Sequence, residues 1–124
     1  MKFYQCEHCG NLAVKLTDSG VPMECCGAPM TEVIPGTRDA AVEKHVPVLH
    51  QNGMDILIEV GQISHPMSAE HRILWILLET NLGFHVHYLA AGDTPSTTFR
   101  LDKYESIRGV YAACNLHGIW ESVL

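Results

Sequence analysis

The sequence predicts an all-β chain, a small metal-stapled module followed by a β-sandwich or barrel. Three observations carry this. Short apolar runs alternate with turn-forming residues through the second half of the chain, the pattern of a strand-rich domain. No segment keeps a helical period over ~10 residues or more. Four cysteines, Cys6, Cys9, Cys25 and Cys26, crowd the N-terminal segment, and the fifth, Cys114, stands near the other end.

The 124 residues suit one ordinary domain, or a small domain with a satellite too short to hold itself together. Hydrophobic residues make up 47% and charged residues 18%, which is a globular balance and not that of a disordered chain. The formal charge is −6, and no basic run interrupts it. Nucleic-acid binding is therefore not expected, because phosphate neutralisation needs clustered Lys and Arg. The longest wholly apolar stretch, Ile73 to Leu78, is far short of the ~20 residues that span a bilayer. The N-terminus shows no apolar run of signal-peptide length. A cytoplasmic protein is expected, with no membrane partner. In a reducing compartment, cysteines in odd number point to metal ligands or catalytic groups sooner than to disulfides.

The first part runs from residue 1 to about 36. Leu12 to Leu16 reads as a short strand and Asp18-Ser19-Gly20 as a turn. Few large apolar residues are available, and segments below ~40 residues usually need metals or disulfides to fold. Gly36 to Ala41 reads as a connector. The second part runs from 37 to 124. Ile56, Ile58 and Val60 alternate with Asp55, Leu57 and Glu59, as in a strand with one buried face. Ile73 to Leu78 reads as a strand buried on both sides. Asn81-Leu82-Gly83 is turn chemistry. Phe84, Val86 and Tyr88 then alternate with His85 and His87, and the histidine face is expected to be the solvated one. After the turn at Ala91 to Pro95, Thr97 to Leu101, Val110 to Cys114 and Ile119 to Val123 complete the strands.

Cys6-x2-Cys9 and the adjacent Cys25-Cys26 form a four-thiolate set. A Cys-x2-Cys turn aims two sulfurs at one ion, and a second pair completes a tetrahedron. Adjacent ligands cannot adopt the relaxed knuckle loop, so distorted angles are expected there. Gly10 and Gly27 follow the two pairs and are expected to let the backbone approach the sulfurs. Spacing alone favours zinc slightly over iron, with a vicinal disulfide as the remaining reading.

The second constellation is His45 in Glu43-Lys44-His45-Val46-Pro47, His65 and His71 around Pro66-Met67, and Cys114-x2-His117. Any one of these histidines alone reads more simply as a surface or hydrogen-bonded core residue. Together they supply five donors, one more than structural zinc usually takes. Five ligands leave one octahedral position open, which suits a redox iron that binds a small molecule. A thiolate opposite that position pushes electron density toward the bound molecule. His8 is expected to be exposed, and the His85/His87 pair is read as no metal site.

These motifs resemble a known family. Cys6-x2-Cys9 with Cys25-Cys26 is similar to desulforedoxin. Glu43 to Pro47, His65-Pro66-Met67 with His71, and Cys114-Asn115-Leu116-His117-Gly118-Ile119-Trp120 resemble superoxide reductase. Both in this order resemble desulfoferrodoxin, the two-iron superoxide reductase, over nearly the whole chain. The resemblance implies a desulforedoxin/rubredoxin-like module over 1–36 with an Fe(Cys)4 electron-transfer centre. It implies an immunoglobulin-like β-sandwich over 37–124 with a catalytic Fe(His)4(Cys) centre. His45, His65, His71 and His117 would be the imidazole ligands in the plane and Cys114 the axial one. No ligand of either centre is missing, so one-iron relatives are the poorer match.

The implied reaction is one-electron reduction of superoxide, with two protons, to hydrogen peroxide, a detoxification. The resemblance implies that Lys44 lies at the mouth of the open position, drawing superoxide in and hydrogen-bonding what forms there. It implies that Glu43 closes the sixth position after product leaves. It also implies a homodimer and rubredoxin or a similar small carrier as electron donor. A non-enzymatic iron electron carrier and a zinc-stabilised interaction module are the rival readings.

Overall fold

The computed structural model describes residues 1–36, 42–122 and 124; the side chains of Val42 and Glu43 lie outside this description. Most of the expected connector, 37–41, and Val123 also lie outside it. The chain divides into two compact units, Met1–Ile34 and Pro35–Leu124.

Unit 1 carries five short strands, β1 (Phe3–Gln5), β2 (Leu12–Ala13), β3 (Glu24–Cys25), β4 (Ala28–Pro29) and β5 (Thr31–Val33). They form a three-stranded sheet in the order β2-β1-β5 and a β3-β4 ribbon. The strand expected over Leu12 to Leu16 stops at Ala13. Lys15 explains this, because its Nζ turns back to Asp18 Oδ1 at 3.0 Å and to the Val21 carbonyl at 2.8 Å. The expected turn follows, with Gly20 N–H donating to Asp18 Oδ1 at 2.8 Å. Among its described residues only Phe3 and Cys6 are buried. So little apolar burial leaves the unit dependent on another staple.

Unit 2 opens with a one-turn helix, α1 (Val42–His45), and continues with seven strands. These are β6 (Pro47–Asn52), β7 (Asp55–Val60), β8 (Ile73–Thr80), β9 (Gly83–Tyr88), β10 (Ser96–Arg100), β11 (Ile107–Cys114) and β12 (Gly118–Glu121). One sheet runs β10-β7-β6 and the other β12-β11-β8-β9, all neighbours antiparallel. Ile56, Ile58 and Val60 of β7 meet Ile73, Ile76, Leu78, Val110 and Ala112 of the facing sheet in one core. This is an immunoglobulin-like sandwich, with the fourth strand, β9, on the four-stranded sheet.

The continuous run in β8 is buried on both sides at Ile76, Leu77 and Leu78, while Leu74 and Trp75 within it are half-buried. Sequence reading passed over β6. It pairs with β7 from Pro47↔Val60 to Asn52↔Asp55, and the two-residue loop Gly53-Met54, with Gly53 at positive φ, closes the hairpin.

The expectation for β9 holds in part. His87 pairs with Ile76 and His85 with Leu78, so both histidines share the side of the sheet that carries the core, yet His87 is exposed and His85 only half-buried. Phe84, Val86 and Tyr88 on the other face are exposed too, at 38%, 39% and 79%. The histidines meet polar partners. His85 Nε2–H donates to Glu105 Oε2 at 2.9 Å, and His87 Nδ1 meets the Thr97 hydroxyl. Alternation identified the two faces but not that both meet solvent.

Candidate metal centres

The four N-terminal cysteines converge. Their sulfurs all lie within 4.8 Å of one another. Cys9 Sγ is 3.6 Å from Cys25 Sγ, and Cys25 Sγ is 4.0 Å from Cys26 Sγ. A tetrahedron with ~2.3 Å metal–sulfur bonds has edges of about 3.8 Å. The cage therefore fits a single ion, and of these two edges the one between the adjacent cysteines is the longer. All five cysteines are free, so the vicinal disulfide is not formed.

The loop geometry follows from the residues. Cys6 N–H bonds the Asn11 carbonyl at 2.9 Å and Gly10 N–H returns to the Cys6 carbonyl at 2.9 Å. Gly10 and Gly27 have φ of +83° and +75°, and a Cβ on either would meet nothing within 4 Å. The turn, and not crowding at the sulfur, is what requires glycine there. Cys9 N–H donates to Cys6 Sγ at 3.4 Å and draws that thiol down to about 6. Cys26, bonded toward Cys6 and Cys9, is pushed up to about 12.

The second set forms at one end of the sandwich. His45 ends α1, His65 and His71 sit on the β7–β8 loop, and Cys114 and His117 flank the β11–β12 turn. Donor atoms of His45, His65, His71 and Cys114 all lie within 4.8 Å of one another. His117 joins through Nδ1, 3.1 Å from His45 Nε2 and 3.8 Å from Cys114 Sγ. His45 Nε2 and His65 Nε2 are 3.2 Å apart. Two nitrogens at right angles about one ion, with ~2.1 Å bonds, stand about 3.0 Å apart.

Three further observations fit a metal here. His71 Nε2 is buried without a hydrogen-bond partner, which is costly unless something else receives its lone pair. His65 Nδ1–H donates to the Pro66 carbonyl at 2.7 Å, which fixes the tautomer and leaves Nε2 as a donor to metal. Burial, with the other imidazoles, holds His65 down to about 4 although the Pro66 carbonyl opposes this. A neutral imidazole is what ligation needs.

The site is braced from outside. Trp120, 2% exposed, stacks on His45 with centroids 4.9 Å apart and bonds the His117 carbonyl through Nε1–H at 3.1 Å. Asn115 ties the two ligand loops together. Its Nδ2 donates to the Glu70 carbonyl at 2.9 Å, and its Oδ1 accepts from Arg72 N–H at 2.9 Å. Neither brace was singled out from the sequence; both stand inside the Cys114 to Trp120 motif, whose spacing carried the signal.

Lys44 is exposed beside buried His45. The Glu43 side chain lies outside the described residues. His85 and His87 join neither metal cluster among the described residues. His8 is exposed as expected. No described helix is long and apolar enough to cross a membrane.

The fold and the two donor sets define a class, an all-β metalloprotein with an all-thiolate site in one unit and an imidazole–thiolate site in the other. The profile of the Desulfoferrodoxin family matches residues 37–123. A desulfoferrodoxin of Syntrophotalea carbinolica is 40% identical, across 98% of this chain and 95% of the relative. One from Nitratidesulfovibrio vulgaris is 37% identical across 98% and 94%. The superoxide reductase crystal structure from Treponema pallidum superposes with a TM-score of 0.80 at 33% identity, covering 98% of each chain. The chain belongs to the desulfoferrodoxin family.

Proposed function

We propose that this protein is a superoxide reductase, catalysing one-electron reduction of superoxide, with two protons, to hydrogen peroxide. The observation that carries the reading is the convergence of four imidazoles and one thiolate, His45, His65, His71, His117 and Cys114, on a single point. Treponema pallidum's matching protein is named for the same activity. Iron suits both donor sets in this reading: at the five-donor site it supplies the electron to superoxide, and at the four-cysteine site it stores or relays one.

The residues of the chain do the rest. Four neutral imidazoles and one thiolate leave a ferrous site a formal charge of about +1, which attracts a small anion despite the acidic chain. Lys44, exposed beside His45, extends that attraction to solvent. Its ammonium steers superoxide in and organises the water that delivers protons. Glu43 closes the site after product leaves. Trp120 and Asn115 hold the ligand loops so that the donors need not reorganise.

The same reading includes a homodimer, supported by the exposed Phe84, Val86 and Tyr88 on edge strand β9. It includes rubredoxin or a similar small donor, and a cytoplasmic setting in which five free thiols persist. The test mixes reduced protein with a superoxide pulse after iron content and an oxidised-minus-reduced spectrum are recorded. Peroxide formed without dioxygen is the expected result. Equal peroxide and dioxygen would mean dismutation, and zinc without iron would remove the redox reading altogether.

A further inference from the structure

We propose that Gly61 is a positioning residue that sets where Lys44 stands; this rests on the reading of Lys44 as the anion-steering group. Gly61 follows β7 with φ +85°. A Cβ there would lie 2.6 Å from the Lys44 carbonyl oxygen, 2.7 Å from its carbonyl carbon and 2.5 Å from the Ile63 carbonyl oxygen. All three atoms are backbone, so none can swing aside as a side chain would. Gly61 N–H also donates to the Val46 carbonyl at 3.1 Å. The end of α1 is therefore clamped against the end of β7 through a residue with no side chain.

Other glycines with positive φ differ. Gly36, Gly53, Gly83 and Gly92 would each present a Cβ to open space. Unlike these, Gly61 combines a positive φ with a backbone collision. Ordinary contact needs roughly 3.5 Å, so any side chain at 61 must displace the Lys44 peptide by about 1 Å. His45, the next residue, is held independently by the Trp120 stack and the facing imidazoles. With His45 held, the displacement turns the Lys44 peptide and with it the direction in which the exposed Lys44 side chain leaves the backbone.

The experiment compares Gly61→Ala, Lys44→Ile and the double variant as two-iron proteins, with Gly53→Ala as a control that carries positive φ without a collision. The readouts are iron per chain, the visible spectrum and the second-order rate with superoxide against ionic strength. Gly61→Ala is expected to keep both irons, to slow the low-salt rate ~3–10-fold and to flatten its salt dependence toward that of Lys44→Ile. Added to Lys44→Ile, it should cost nothing more, because it acts through a group no longer there. Losses that multiply in the double variant would overturn the proposal. So would a rate no lower than that of Gly53→Ala. Loss of the second iron or of the fold would assign Gly61 to His45 and His65 instead. If Lys44→Ile alone leaves the rate unchanged, it is the steering reading that fails.

Discussion

Trp120 lies face to face with His45, ring centroids 4.9 Å apart and planes inclined by 28°, while its indole N–H holds the His117 carbonyl. One buried side chain thus fixes two of the five donors. Trp120→Ala should destabilise the second unit by ~3–5 kcal/mol, the cost of emptying a large core site. The second iron should be lost first, with the four-cysteine iron retained. Trp120→Phe keeps a stacking ring but loses the N–H bond and part of the buried ring volume, a smaller cost of about 1–3 kcal/mol. Thermal melts with iron counts per chain check both. Full iron loading in Trp120→Ala would show that the stack does not position His45.

Lys44 is exposed next to a buried ligand, so its charge acts in high dielectric and over some distance. Lys44→Ile should slow superoxide capture by ~10-fold or more at low salt. The difference from the parent should shrink as ionic strength rises, because salt screens steering. Both irons should stay bound. Stopped-flow or pulse measurements over a salt series decide; parallel salt curves for parent and variant would remove Lys44 from steering.

The two metal centres were legible because ligand spacing is local chemistry. Cys6-x2-Cys9 and Cys114-x2-His117 declare their geometry within four residues, and the fold only had to bring such pairs together. The all-β class was legible for a similar reason, since Ile56, Ile58 and Val60 alternate and Ile73 to Leu78 do not. That the apolar face of β9 also stays exposed was not. Nor were the polar partners that His85 and His87 take, Glu105 and Thr97, because only the fold brings them together. Strand β6 was hidden because its last three residues, His50, Gln51 and Asn52, are exposed and polar. Gly61 shows no local signal for its contact with Lys44, because only the tertiary structure brings the two together.

Glu105 has a nearly buried side chain, 4% exposed, with three donors. The Thr80 hydroxyl at 2.6 Å, Asp102 N–H at 2.8 Å and His85 at 2.9 Å hold its carboxyl down to about 2. A carboxyl lowered in the folded state stabilises fully above its unfolded value, near 4.5, and that stability is lost as pH falls toward 2. Glu105→Gln should therefore melt lower than the parent at pH 7. The gap should narrow from about pH 4.5 downward and vanish near pH 2. Paired melts across that range test this. A gap that stays constant with pH would mean that shape, and not charge, is what Glu105 contributes.

Unit 1 buries only Phe3 and Cys6 among its described residues, so its stability rests on the ion its cysteines hold. Cys9 is exposed and touches Cys25 through sulfur alone, at 3.6 Å. Cys9→Ser removes one donor and little packing. A structural metal contributes ~10–16 kcal/mol to small folds, far more than this unit's apolar burial can replace. The variant should hold about one iron per chain instead of about two, and the amides of residues 1–34 should lose their spectral dispersion. The second unit has its own core and donor set, so its signals should stay in place. Peroxide should still form from superoxide when a chemical reductant replaces the first centre. A first unit that remains folded without its iron would show that the cysteines are not its staple, and a loss of peroxide formation would make the first centre part of the catalytic unit.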